Sequence, residues 1–175
     1  MIQVRDGDVK KLGVLFERHS VRLLNFFSRY TNKPDASEDL VQDVFFRILK
    51  YRQTYRGEAP FTVWMYQLAR NVSADYFRKR KEHSMSDEDM ERQQDPDPLP
   101  TEAYQQSEEH EMLRHALARI SSDKREVLVL SRYQDLRYEE IGRILDCPVG
   151  TVKARVHFAL KDLRDEYMKL TRTKV

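Results

Sequence analysis

Between Tyr51 and Lys81 the chain interleaves Tyr55, Phe61, Trp64, Tyr66, Tyr76 and Phe77 with Arg56, Arg70, Arg78, Lys79, Arg80 and Lys81. Unpaired bases stack on aromatic faces while cations follow phosphates, so this mixture suits a nucleic acid strand that has been opened. Asn71, off the apolar stripe of the same segment, can hydrogen-bond a base edge. Phe61 and Trp64 fit a core at least as well as a base contact. A second chemistry sits in the last third, where Leu136 to Tyr167 reads as two short helices joined by a tight turn. In the later helix Val149, Val152, Val156, Ala159 and Leu163 recur at steps of three and four and turn inward. Lys153, Ala154, His157 and Lys161 then face out, with Thr151 and Arg155 on the flanks. A short helix bracing a cationic one is the geometry that lays a helix in the DNA major groove.

Catalysis finds little support in the residue types. The five histidines, His19, His83, His110, His115 and His157, show no metal spacing with Cys147. No phosphate-cradling glycine loop or nucleophile motif is present, so the sequence predicts a non-enzymatic protein without cofactor or metal. A single cysteine forms no internal disulfide and agrees with a reducing compartment. No apolar run is long enough to span a bilayer and no leader is recognisable, which predicts a cytoplasmic protein.

Net charge is only +2, but its distribution is polarised. Residues 47–81 carry nine Lys or Arg against two acids, residues 82–111 eleven acids against one Arg, and residues 151–175 seven basic side chains against three acidic. Two basic blocks separated by an acidic one predict two polyanion-binding surfaces. Residues 84–109 hold three of the six prolines and few large apolar side chains, a composition that predicts a flexible acidic linker. The expected organisation is therefore a helical domain at 1–83, a linker at 84–107 and a second helical domain at 108–175.

The elements that must position these residues are helical. Val9, Leu12, Phe16, Leu23, Phe27 and Tyr30 lie near a helical period. Asp35 and Glu38 look like a capping box ahead of the stripe Leu40, Val41, Val44, Phe45, Ile48 and Leu49. Pro60 opens a third helix carrying Phe61, Trp64, Met65, Leu68, Val72 and Tyr76. In the C-terminal pair, Leu136, Ile141, Ile144 and Leu145 are predicted to be buried, Gly142 to permit a close crossing, and Asp146 to take a left-handed turn before Pro148. The fold class is all-α: two small helical domains, the C-terminal one a helix-turn-helix.

Four blocks in order, "SEDLVQDVFFRI", "YRGEAPFTVWMYQLARNVSADYFRKRK", "DKREVLVLSRYQDLRYEEIGRIL" and "CPVGTVKARVHFALKDLR", resemble the extracytoplasmic-function (ECF) group of bacterial RNA polymerase sigma factors. The resemblance implies an alternative sigma factor that binds core polymerase, recognises minus-35 and minus-10 promoter elements and promotes DNA opening. It implies core-polymerase contact, on the clamp helices of the largest subunit, through Asp39, Gln42, Asp43, Phe45 and Leu49. It implies minus-10 binding by Tyr55, Arg56, Gly57, Trp64 and Asn71, with Arg78, Lys79 and Arg80 on duplex phosphates upstream. It implies minus-35 binding by Thr151, Lys153, Ala154, Arg155, His157, Phe158 and Lys161. Phe158 and Leu160 stand where many relatives carry basic residues, which leaves Phe158 for a thymine methyl or for packing. Ala154 replaces a frequent serine. The resemblance also implies an anti-sigma partner, through which the chain would be held at a membrane without inserting. A stand-alone helix-turn-helix regulator is the alternative, and it leaves the aromatic and basic first module unexplained.

Overall fold

The computed structural model describes residues 1–33, 35–86 and 104–173, and among them every regular element is helical. A short helix α1 (Ile2–Arg5) and a 3₁₀ turn (Val9–Lys11) lead into α2 (Leu12–Thr31), α3 (Ser37–Lys50) and α4 (Phe61–Ser86). The second unit holds α5 (Tyr104–Arg119), α6 (Ser122–Arg132), α7 (Tyr138–Leu145) and α8 (Val149–Thr173). Of the linker expected at 84–107, residues 84–86 and 104–107 continue the flanking helices, and the rest lie outside the described residues.

The first unit forms because each helix carries one apolar stripe. Leu23, Phe26 and Phe27 of α2, Val44 and Ile48 of α3, and Val63, Met65 and Val72 of α4 are all at most 2% exposed. Each such large side chain contributes roughly 1.5–3 kcal/mol by leaving water. Val9 and Phe16, expected on the inner stripe, are instead largely exposed; Phe16 packs only at the edge, its ring 4.9 Å from that of Phe45. The expected capping box also fails. Helix α3 starts at Ser37 after Ala36, while Asp35 stays in the turn and the Ser37 hydroxyl donates back to the Lys33 carbonyl at 3.0 Å. Glu38 and Asp39 still sit in the first turn, where the helix dipole favours acids.

In the second unit, α5 and α6 pack along α8, and α7 crosses α8 through a tight turn. Leu136, Ile141, Ile144 and Leu145 are buried as the spacing predicts, and Asp146 adopts φ +50°. The Glu140 carboxylate accepts the Arg137 backbone N–H at 2.9 Å and fixes the start of α7. At Gly142 an added Cβ would lie 2.8 Å from the Cys147 carbonyl oxygen, with Val152 and Val149 just beyond. The turn's own backbone, more than a neighbouring side chain, demands the glycine.

The apolar core is continuous across both units: α2 meets α5 and α6, and α4 meets α7. Gly142→Ala forces that backbone contact apart and is expected to cost about 1–3 kcal/mol. A urea midpoint equal to that of the parent chain would show that the turn yields freely.

Candidate nucleic-acid interface

Helix α4 presents the aromatic and basic residues, but not as one continuous platform. Tyr55, just ahead of it, is 8% exposed. Its hydroxyl donates to the Ala59 carbonyl at 3.1 Å, and its ring packs against Trp64 (5.4 Å) and Phe61 (6.1 Å). Tyr55 is therefore the floor of the aromatic cluster, and the expectation that it offers a stacking face is corrected. Trp64 is half-buried on that floor, and Arg56, Gly57 and Asn71 face solvent around it. Gly57 takes φ +80°, a conformation that lets the loop turn sharply beside the cluster. Below lies His19, which the sequence reading passed over: its ring meets Phe61 edge-on at 5.2 Å and burial lowers its pKa. Its signal, one histidine amid helical periodicity, was too weak to find.

Farther along α4 the cations separate by role. Asp75 bridges Arg47 and Arg78, each at 2.7 Å, and the hydrogen bond from Arg47 holds its carboxyl below the usual range. Arg78, Lys79 and Arg80 remain exposed. Tyr76 and Phe77 are half-buried and pack together at 5.5 Å.

On α8, Lys153, Ala154, Arg155, His157, Phe158 and Lys161 are exposed, and Thr151 is half-buried at the flank. The first turn of α8 packs its inner side chains Val149 and Val152 against Gly142 of α7, which leaves the outward row exposed on the other side. On α3 the exposed row is Asp39, Gln42, Asp43 and Phe46, with Leu49 half-buried at its edge. Phe45, expected in that row, is 6% exposed and packs on Phe16, while Phe46 is 64% exposed. Leu40, Val41, Val44, Phe45 and Ile48 fill the inner stripe, so the next residue in the helix necessarily points out. The spacing had already put Phe45 on the inner stripe; only the resemblance set it in the contact row.

Comparison with known proteins decides the family. Residues 15–83 match the model "Sigma-70 region 2", and residues 110–163 match "Sigma-70, region 4". The chain belongs to the extracytoplasmic-function group of RNA polymerase sigma factors. It is 27% identical to the ECF RNA polymerase sigma-E factor of Haemophilus influenzae, over 96% of this chain and 93% of that one. It is 31% identical to the sigma factor SigE of Mycolicibacterium smegmatis, over 89% of this chain and 61% of that one. Its fold is similar to that of the Bartonella quintana sigma factor RpoE, solved in complex with the anti-sigma factor NepR (TM-score 0.67, 24% identity, 86% of this chain and 94% of that one). It is also similar to CnrH in complex with the cytosolic domain of CnrY (TM-score 0.72, 20% identity, 99% and 96%).

In this sigma factor the two matched regions touch through a polar seam. The Tyr66 hydroxyl donates to Gln134 Oε1 at 2.6 Å, and Gln67 Nε2 donates to the Arg143 carbonyl at 2.9 Å. Arg70 reaches Glu126 through Nε at 2.7 Å and the Ile144 carbonyl through Nη1 at 2.8 Å. From the other side Arg125 donates to the Tyr30 carbonyl at 3.0 Å, and Arg29 lies 4.5 Å over the Tyr133 ring. Tyr66 and Arg70, which the sequence placed among base-stacking and phosphate-tracking residues, are thus committed to the seam. Burial raises the pKa of Tyr66 well above the ordinary phenol value and pushes Tyr30 up to about 12. Among the described residues no three His, Cys, Asp or Glu side chains gather as metal ligands, and no helix is long and apolar enough to cross a membrane.

Burial also pushes the Glu126 carboxyl up, against the pull of Arg70 and, more weakly, of Arg155. A carboxyl raised in the folded state contributes stability that is complete below its unfolded value of 4.5 and is lost as pH climbs through the folded value. Glu126→Gln removes that loss, so its urea midpoint is expected to gain on the parent chain from pH 4.5 upward. A gap that narrows with rising pH would mean that the Arg70 ion pair outweighs desolvation.

Proposed function

We propose that this sigma factor docks on core RNA polymerase through Asp39, Gln42, Asp43 and Phe46 of α3, with the clamp helices of the largest subunit as the receiving surface. A carboxylate pair and an amide around one exposed phenyl ring make a charge-selective helix-on-helix contact with an apolar anchor. The exposed α3 row carries the proposal, because neither DNA-facing surface uses it and a regulator acting alone has no need of it. Arg56, Gly57, Trp64 and Asn71, floored by Tyr55, would hold an extruded minus-10 base. Flipping costs a few kcal/mol, which a preformed aromatic and polar pocket offsets. Arg78, Lys79 and Arg80 would follow the upstream phosphates, and the outward face of α8 would read the minus-35 element.

The chemistry of RNA synthesis belongs to the polymerase; this chain supplies promoter choice and strand opening in the cytoplasm. The complexes in which its two structural neighbours were solved support an anti-sigma partner here as well.

The seam adds a geometric condition. The two promoter elements are about 25 base pairs apart by their names, about 85 Å at ~3.4 Å per pair. Helix α4 packs on α7 and α7 on α8, so the two reading helices stand about 20 Å apart, two interaxial steps of ~8–10 Å. Engaging both elements therefore requires the units to part.

Run-off transcription with purified core polymerase on a promoter library tests the assignment, and initiation that is equal without this chain would reject it. Phe46→Ala, at a solvent-facing site, is expected to weaken core binding at least tenfold with an unchanged thermal melt; full retention would reject the α3 contact. Spin labels on exposed Val21 and Asp165, in a Cys147→Ala background, are expected to move apart by tens of ångströms in the polymerase–promoter complex. An unchanged separation would contradict opening.

A further inference from the structure

We infer that Ala154 and Phe158 form an apolar strip on α8 that selects thymine through its 5-methyl group. The inference rests on the assignment of α8 as the duplex reader.

The structure removes packing as the role of Phe158. It is 56% exposed, turned away from the buried stripe of Val152, Val156 and Ala159. Among the described residues the ring of His157, at 5.6 Å and 74°, is the one aromatic neighbour that flanks it. Ala154 lies one turn earlier on the same face, also exposed. The two residues are about 6 Å apart along the axis, close to two base-pair steps of ~3.4 Å. Lys153, His157 and Lys161 border the strip with donors, so the apolar pair sits within a polar frame that can engage phosphates and other base edges.

Of the four bases, only thymine puts a methyl group in the major groove; the others offer polar atoms. A phenyl ring and a methyl side chain satisfy none of those atoms. Set against adenine, guanine or cytosine they desolvate a donor or acceptor without replacing its hydrogen bond, so the strip rejects those bases as well as favouring thymine.

The test uses the full chain with core polymerase. Promoter duplexes are selected from a library, and the enriched minus-35 segment is remade with each thymine replaced in turn by deoxyuridine, which deletes only the methyl. At one or two positions the replacement is expected to weaken open-complex formation about fourfold, equivalent to about 0.8 kcal/mol for one buried carbon. Phe158→Ala should bring the thymine-to-uracil ratio at one of those positions to about one. Because the side chain is exposed, its thermal melt should match the parent's, so loss of folding is separable from loss of reading. Wild-type binding indifferent to every methyl, or a ratio that survives in Phe158→Ala, overturns the inference while initiation stands. Absence of polymerase-dependent initiation from any library member would instead overturn the sigma-factor reading itself.

Discussion

Arg70 crosses from the first helical unit into the second, and the arrangement of the whole chain depends on where its guanidinium rests. Glu126 is almost wholly buried, and a carboxylate removed from water costs several kcal/mol unless a cation and donors meet it. Arg70 supplies one charge-assisted bond and spends another donor on the Ile144 carbonyl, which the end of α7 leaves without an intrahelical partner. Gln67 does the same for Arg143. One helix of the first unit therefore caps a helix of the second. Because α4 turns every 3.6 residues, its seam residues Tyr66 and Arg70 lie roughly a third of a turn from Trp64, Asn71 and Arg78. The docking contacts and the proposed strand-reading residues thus share the helix without sharing side chains.

The seam adds polar contacts to an apolar core that continues across it. Within each unit the contacts are aliphatic and aromatic side chains that have left water almost completely. Across the seam the named contacts are hydrogen bonds, one ion pair and one cation over a ring, each of which water can replace. Gln134 Nε2 is buried there with no partner, a defect of about 1–3 kcal/mol that opening would relieve. Arg125 keeps its bonds to the Leu117, Ala118 and Ile120 carbonyls whether or not it holds Tyr30. Glu126, once exposed, has Arg155 of its own unit nearby. The polar groups of the seam can thus find other partners on separation, while the apolar side chains shared across it would be left to meet water or a new partner.

Much of this was legible from residue spacing, and the failures have specific causes. The helix-turn-helix was readable because Leu136, Ile141, Ile144 and Leu145 alternate with charged residues and because Asp146 and Pro148 punctuate the turn. On α3 the spacing placed Phe45 correctly on the inner stripe; it was the resemblance that put Phe45 in the contact row, where the packed helix presents Phe46 instead. Tyr55 is an aromatic residue whose hydroxyl finds a carbonyl four residues on; composition shows the ring, not the bond that closes its face. Tyr66 and Arg70 belong chemically to the basic aromatic block, and nothing local to them announces a partner some sixty residues away. Pairings such as Arg70 with Glu126 are a property of tertiary contact, which periodicity within one helix does not encode.

The closed arrangement leaves both proposed reading faces uncovered. Asn71 and Arg56 face solvent in the first unit, and Lys153, His157 and Phe158 do so in the second. What the seam withholds is separation. If α4 and α8 read as proposed, a reader held within about 20 Å of its companion can meet one promoter element, where its phosphate contacts give the weak, salt-sensitive affinity common to basic surfaces, but not both at once. The exposed α3 row lies away from the seam, so contact with polymerase does not have to wait for opening. Binding energy gained there is then available to offset the loss of the seam's polar contacts and of the apolar burial shared across it. Specific binding would follow from the spacing of two modest readers more than from the strength of either.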